Sequence, residues 1–209
     1  LNYPVRCNVH HASEFLIAVA DGVSVSPYPN LASRYWMDML APTQHGHSFD
    51  ARLLRQIHSQ MCKKMARGNT YGSSTTLVAA SIKSDLCTIL NCGDSRAYHI
   101  NTNGDWQQLS HDHTVLNEFI ASGQAQSGED YADIYSGLAH CLVADEEAFD
   151  FAIARAEKTL AVGDYILLCS DGVHDVLSAE FLQQSFTAHS PRECVAHWRK
   201  HILHMGAPD

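Results

Sequence analysis

Apolar positions along the chain fall into two rhythms that divide it into elements. Glu14 to Ala20 is a dense apolar run ending at Asp21-Gly22 and predicts a buried strand. Leu31 to Leu40 and Phe49 to Ala66 repeat their apolar residues at helical spacing, and Gly68-Asn69 turns the chain after the second. The period then shortens. Ser74 to Ile82, Leu86 to Cys92 and Arg96 to Ile100 are short, rich in β-forming residues and separated by turn residues. The Asn-Gly inside Asn101 to Asp105 predicts a hairpin into Trp106 to Leu109. Thr114 to Ser122 reads as a helix, Gly123 to Asp130 as an exposed loop, and Tyr131 to Leu142 as a further helix. Phe149 to Ala154 and Tyr165 to Cys169 read as strands. Ser178 to Phe186 and Pro191 to His204 read as helices with Ser178 and Ser190 as N-caps. Strands that cluster, rather than alternating strictly with helices, predict an α+β layered domain with mainly antiparallel sheets.

Length and charge narrow the picture. The 209 residues suit one domain, and 45% hydrophobic with 18% charged residues fits an ordinary globular protein. No apolar run approaches the roughly 18–20 residues that cross a bilayer, so no membrane association is expected. A net charge of −9 argues against a nucleic-acid partner, and a bound phosphate would need metal cations for much of its positive counter-charge. The seven cysteines form no CxxC pair and several lie in apolar runs; they read as free thiols in a reducing cytoplasm. Fourteen histidines include no HExxH, which makes zinc a poor expectation. The start, Leu1-Asn2-Tyr3-Pro4, has neither the character of a signal peptide nor an initiator Met, so the expectation is that residues precede it.

The candidate chemistry lies in where the acidic residues fall. Asp21 follows Leu16-Ile17-Ala18-Val19-Ala20, Asp94 follows Asn91-Cys92-Gly93, and Asp171 follows Leu167-Leu168-Cys169-Ser170; Asp209 closes the chain. A carboxylate at the end of a core strand is partly desolvated, which disfavours its charged form. Several such groups converging on hard divalent cations resolve that cost, and an adjacent glycine lets a backbone carbonyl join them. A single Asp-Gly is more often just a turn. Two strand-terminal copies, Asp21-Gly22 and Asp171-Gly172, together with Gly93-Asp94-Ser95-Arg96, point to a metal site.

These stretches resemble the PPM (type 2C) metal-dependent protein phosphatases of the compact bacterial kind. The resemblance rests on Ala18 to Val23 (AVADGV), Gly72 to Thr76 (GSSTT), Asn91 to Tyr98 (NCGDSRAY), Leu109 to Thr114 (LSHDHT) and Leu167 to Asp175 (LLCSDGVHD), which occur in the family's order. It implies an α-β-β-α sandwich of two antiparallel sheets flanked by helices, forming a single domain over residues 1–209 that lacks its N- and C-terminal ends. It implies two Mn²⁺ or Mg²⁺ ions, with a weaker third. By motif position, Asp21 would bridge both ions, Gly22 would offer a carbonyl, and Asp171 and Asp209 would hold the first ion. Asp94 and Asp175, with Asp171, would form the third site. No protein side chain acts as nucleophile in this chemistry; a metal-activated water hydrolyses a phosphoserine or phosphothreonine in a protein substrate, opposing a kinase in a signalling or secretion pathway. Gly72 to Thr76 and Arg96 read as scaffold, Asp112 and His113 as a turn behind the centre, His174 as a surface or packing residue, and Gly123 to Tyr135 as the flap. The chain departs from the family in three places. No carboxylate precedes Glu14 where an Asn-Glu-Asp type motif is usual; Val23-Ser24-Val25-Ser26-Pro27 replaces a glycine-rich loop; and no strand follows Asp209. Either residues are missing upstream or the second metal site is degenerate, and in the latter case the alternative function is a pseudophosphatase acting as a binding module.

Overall fold

Successive side chains on a strand point to opposite faces, and in Leu77-Val78-Ala79-Ala80 both faces are apolar and fully buried. Such a strand must be covered on both sides, and the rest of the fold follows from that demand. A computed structural model of the chain describes residues 14–41, 48–129, 131–132, 137–147, 150–186 and 190–206. Its strands are β1 (Glu14–Val19), β2 (Ser74–Thr75), β3 (Leu77–Lys83), β4 (Leu86–Cys92), β5 (Arg96–Ile100), β6 (Trp106–Gln108), β7 (Leu142–Val143), β8 (Ala154–Thr159) and β9 (Tyr165–Cys169). Its helices are α1 (Pro29–Leu40), α2 (Ala51–Met65), α3 (Val115–Ala121), α4 (Asp171–His174), α5 (Ala179–Ser185) and α6 (Pro191–His204).

One antiparallel sheet has the order β1-β3-β4-β8 and a second has the order β6-β5-β9, with a short β2–β7 ladder beside them. Three apolar clusters fill the gaps between layers. Leu77, Ala79, Leu90 and Cys92 pack beneath Trp36, Leu54 and Met61 of α1 and α2. From the opposite face of the same strands, Val78, Ala80, Cys87 and Ile89 meet Ala97, Ile166 and Leu168 of the second sheet. Leu167, on that sheet's outer face, joins Leu182 and Trp198 of α5 and α6. The architecture is therefore α+β, with two antiparallel sheets packed face to face and helices outside, as expected from the sequence.

The helix starts follow local chemistry. Asp50 accepts the Leu53 amide, Ser178 that of Phe181 and Ser190 that of Glu193, and α1 opens on Pro29. Asn101 Oδ1 accepts from the amides of Asn103 and Asp105, closing the predicted hairpin. The cysteines at 62, 87, 92, 141, 169 and 194 are free, and all but Cys141 are buried; Cys7 lies outside the described residues.

Two expectations are corrected. The helix expected over Tyr131 to Leu142 does not form in its described parts. Leu138 instead makes a β-bridge with Thr114, Gly137 O accepts from Val115 N, and Leu142 begins β7, so tertiary partners take the backbone groups a helix would use. Of the strand expected over Phe149 to Ala154, Phe149 lies outside the described residues, residues 150–153 are loop, and the strand begins at Ala154 and runs to Thr159; Phe151 and Ile153 pack against the α1–α2 cluster. A third difference is smaller: the run from Ser74 breaks at Thr76, where β2 leaves for β7 and β3 begins.

Candidate active site

The break at Thr76 is where Asp21 docks. Pairing of β1 with β3 sets Val19 opposite Val78, and the chain then carries Asp21 against the broken strand. Asp21 O accepts from Thr76 N at 2.7 Å and from Thr75 Oγ1 at 2.7 Å, while Asp21 N donates to Thr76 Oγ1 at 3.3 Å. Gly22 bridges to Thr75, and a Cβ placed on it would lie 2.5 Å from the Pro29 carbonyl oxygen, so the start of α1 leaves no room for a side chain. The following loop is pinned by Ser26 Oγ, which accepts from Ser74 N, and by Ser73 Oγ, which accepts from Tyr28 N.

Asp94 stands on the β4–β5 turn. Gly93 makes that turn at φ +101, a conformation that disfavours a side chain, and a Cβ there would meet Thr76 Cβ at 2.7 Å. Buried His113 holds the turn from behind, its amide donating to Gly93 O at 3.0 Å and its Nδ1 accepting from Gly93 N at 3.1 Å. Asp171 opens α4 directly after β9 and accepts from its neighbour's amide, Gly172 N, at 2.7 Å; Asp175 follows α4. These pieces enclose a cleft of about 340 Å³ whose walls include Asp21, Gly22, Asp94, Asp171 and Asp175.

The cleft is strongly acidic. Burial, followed by a hydrogen bond with Asp171 and its charge, pushes the Asp21 carboxyl up to about 7, with Ser170 acting in the opposite direction. Asp94 is raised for the same reasons, burial first and the charge of Asp171 second. Asp175 is held below the usual carboxylate range, mainly by His174. Among the described residues the one Arg or Lys in the wall, Arg96, is engaged by Asp112 through Nε at 2.7 Å and Nη2 at 2.6 Å. Two partly buried carboxyls raised by desolvation and by the charge of Asp171, with Asp171 and Asp175 beside them, form a donor set suited to a divalent cation. Among the described residues no three acidic, His or Cys side chains stand close enough to enclose an ion. An ion here would therefore take carboxylates in pairs and fill its shell with backbone carbonyl and water, as small hard cations do. A second cavity of about 400 Å³ beside α2 does not share this character: Arg55 there pairs with Asp150, and Asp145 accepts from the Tyr71 hydroxyl.

Of the residues singled out in the sequence, Asp21, Gly22, Asp94, Asp171 and Asp175 share this cleft, and Asp209 lies outside the described residues. The Gly72 to Thr76 stretch grips the Asp21 backbone, and Arg96 pairs within the scaffold. Asp112 belongs to the cleft wall itself, because pairing with Arg96 carries it there. His174, read as a surface or packing residue, is a buried part of the same wall, its side chain 4% exposed. Its place next to Asp175 was the only hint of that in the sequence.

Comparison with known proteins agrees with this geometry. Residues 6–202 match the family model described as Protein phosphatase 2C. Protein phosphatase PhpP of Streptococcus pneumoniae is 27% identical over 195 residues, which is 88% of this chain and 77% of that protein. The solved serine/threonine phosphatase PstP/Ppp of Mycobacterium tuberculosis superposes with a TM-score of 0.80 at 22% identity, covering 98% of this chain and 90% of that one. A second structure, the catalytic domain of PstP in complex with two manganese ions, superposes at 0.73 with 21% identity, covering 98% and 91%.

Proposed function

Because the chain belongs to the protein phosphatase 2C family, and is on that footing a serine/threonine protein phosphatase, we propose that its acidic cleft is a metal centre hydrolysing phosphoserine and phosphothreonine in protein substrates. The observation that carries this reading is the meeting of Asp21, Asp94, Asp171 and Asp175, from three separate motifs, in one cleft where burial and the neighbouring Asp171 carboxylate raise Asp21. Asp21, Asp171 and Asp209 would hold two ions with the Gly22 carbonyl, and a pair drawn from Asp94, Asp171 and Asp175, completed by water, a third. Mn²⁺ or Mg²⁺ bound there supplies positive charge for the phosphoryl oxygens and acidifies an attacking water. The chain's own contribution is placement: Thr75 and Thr76 fix the Asp21 backbone, Gly93 and His113 fix the Asp94 turn, and the Asp112–Arg96 pair stiffens the wall between them. Such an enzyme opposes a serine/threonine kinase, and free buried thiols suit a reducing cytoplasm. Among the described residues no helix is long and apolar enough to cross a membrane.

The test is turnover of p-nitrophenyl phosphate and of a phosphothreonine peptide by the full chain with Mn²⁺. Activity should appear with metal and disappear with chelator. Asp171→Asn should lower kcat/KM by at least the roughly 10–100-fold that changes around a metal's ligands produce. A chain that binds Mn²⁺ and turns over neither substrate would overturn the enzymatic reading and leave a binding module.

A further inference from the structure

At the rim of the acidic cleft runs a stretch without a charged side chain. From Val23 to Ala32 the residues are Val-Ser-Val-Ser-Pro-Tyr-Pro-Asn-Leu-Ala, in a protein of net charge −9. Val23 and Ser24 are part of the cleft wall, directly after Asp21 and Gly22. A tight turn follows: Ser26 N donates to Val23 O at 2.9 Å, which puts Ser24 and Val25 at its corner. A single Cα step of about 3.8 Å separates Ser24 in the wall from Val25 beyond it. Val25 is left 92% exposed, and Pro27 and Tyr28 are exposed after it.

One exposed valine is ordinary on a protein surface. This one is held in place. Val23 N donates to Ser74 O at 3.0 Å, Ser26 Oγ accepts from Ser74 N at 3.1 Å, and Ser73 Oγ accepts from Tyr28 N at 3.2 Å. Pro27 and Pro29 fix two further backbone angles. Ser73 and Ser74 belong to the same stretch whose Thr75 and Thr76 grip the Asp21 backbone, so the turn and the cleft share one scaffold. An apolar surface that is already fixed loses little conformational freedom when a partner covers it. Without charge, Val25, Pro27 and Tyr28 recognise apolar area and not an ion.

On the reading of the cleft as a phosphatase centre, we propose that Val25, with Pro27 and Tyr28, is a specificity ledge that seats an apolar side chain of the protein substrate close to its phosphorylated residue. The occupant follows from position. A segment with its phosphorylated residue in the cleft runs on across the rim, and the ledge is continuous with the wall at Ser24. An extended segment advances about 3.3 Å per residue, so it reaches the ledge within about two or three residues.

Steady-state kinetics of the full chain with Mn²⁺ on paired phosphothreonine peptides tests the ledge. The two members of a pair differ only in carrying Leu or Ser at one of about three positions on either side of the phosphothreonine. At one of those positions Leu should be preferred by roughly ten-fold in kcat/KM, mostly through KM, near the lower end of what a hydrophobic contact decides between substrates. Val25→Ser should reduce that ratio to about two or less, and Val25→Ile should keep it. Because Val25 lies almost wholly in solvent, replacing it disturbs the fold little. No preference in wild type, a preference that survives Val25→Ser, or an equal loss for both peptides in that variant would overturn the ledge. p-Nitrophenyl phosphate has no flanking residue and reads the metal centre separately. If wild type turns it over in any of those cases, the phosphatase reading stands without the ledge; a chain that turns over no substrate overturns both.

Discussion

At the scale of single residues, the site is held by atoms that are absent as much as by those present. Gly93 combines a left-handed φ of +101 with a Cβ position 2.7 Å from Thr76, and Thr76 in turn receives the Asp21 amide. Gly93→Ala should therefore destabilise the protein by about 1–3 kcal/mol and weaken Mn²⁺ binding together. A urea titration with an unchanged slope and a lowered midpoint, alongside metal titration, checks both. An unmoved midpoint would show that the turn yields freely. The turn role of Gly93 is legible in the sequence. The reason for Gly22 is not, because the Pro29 carbonyl that crowds it is brought there by the packing of α1. His174 is illegible for a similar reason: its burial depends on an Asp94 carbonyl 80 residues away.

At the scale of elements, what reads correctly is what local chemistry decides. Ser190 caps α6, with Pro191 at its first turn, and its hydroxyl accepts the Glu193 amide. Ser190→Ala should lower stability by about 1 kcal/mol with activity retained, measured as a shift in Tm. The elements misread are those that tertiary partners decide. The segment ending at Leu142 has helical apolar spacing, but its described backbone is held extended by Thr114 and Val115. β8, Ala154-Arg155-Ala156-Glu157-Lys158-Thr159, buries little more than alanine toward the core, so the apolar density before it drew the reading forward. The break at Thr76 was invisible because a strand pattern does not show that another chain segment takes its hydrogen bonds.

At the scale of the whole molecule, the concentrated acidity of the cleft makes stability depend on pH and metal together. The Asp21 carboxyl moves from 3.8 to about 7 on folding without metal. Between those values the folded chain holds a proton that the unfolded chain has released, so stability falls as pH rises from about 4 to about 7. Asp94 acts in the same direction. Buried His58 and His113, held below the ordinary 6.5, act oppositely, adding stability as pH rises toward that value. Asp21→Asn removes the first contribution and keeps the last. In chelator, wild type should accordingly lose stability relative to Asp21→Asn as pH rises from about 4 to about 7, read from urea midpoints. Saturating Mn²⁺ should stabilise wild type more at the higher pH, since the ion displaces that proton. Equal pH profiles for the two proteins would remove the carboxyl from this role.

The sequence by itself determined the layered α+β class, most of the helices and strands, and the family through five motifs in order, because side-chain periodicity, caps and turn residues act over a few neighbours. Only the tertiary structure decided that Asp21, Asp94, Asp171 and Asp175 face one cleft, that Asp112 and His174 join its wall, and that the backbone of Asp21 is gripped by a broken strand. Those relations depend on which surfaces pack together across dozens of residues, and on the desolvation and charge that packing imposes, neither of which a local pattern carries.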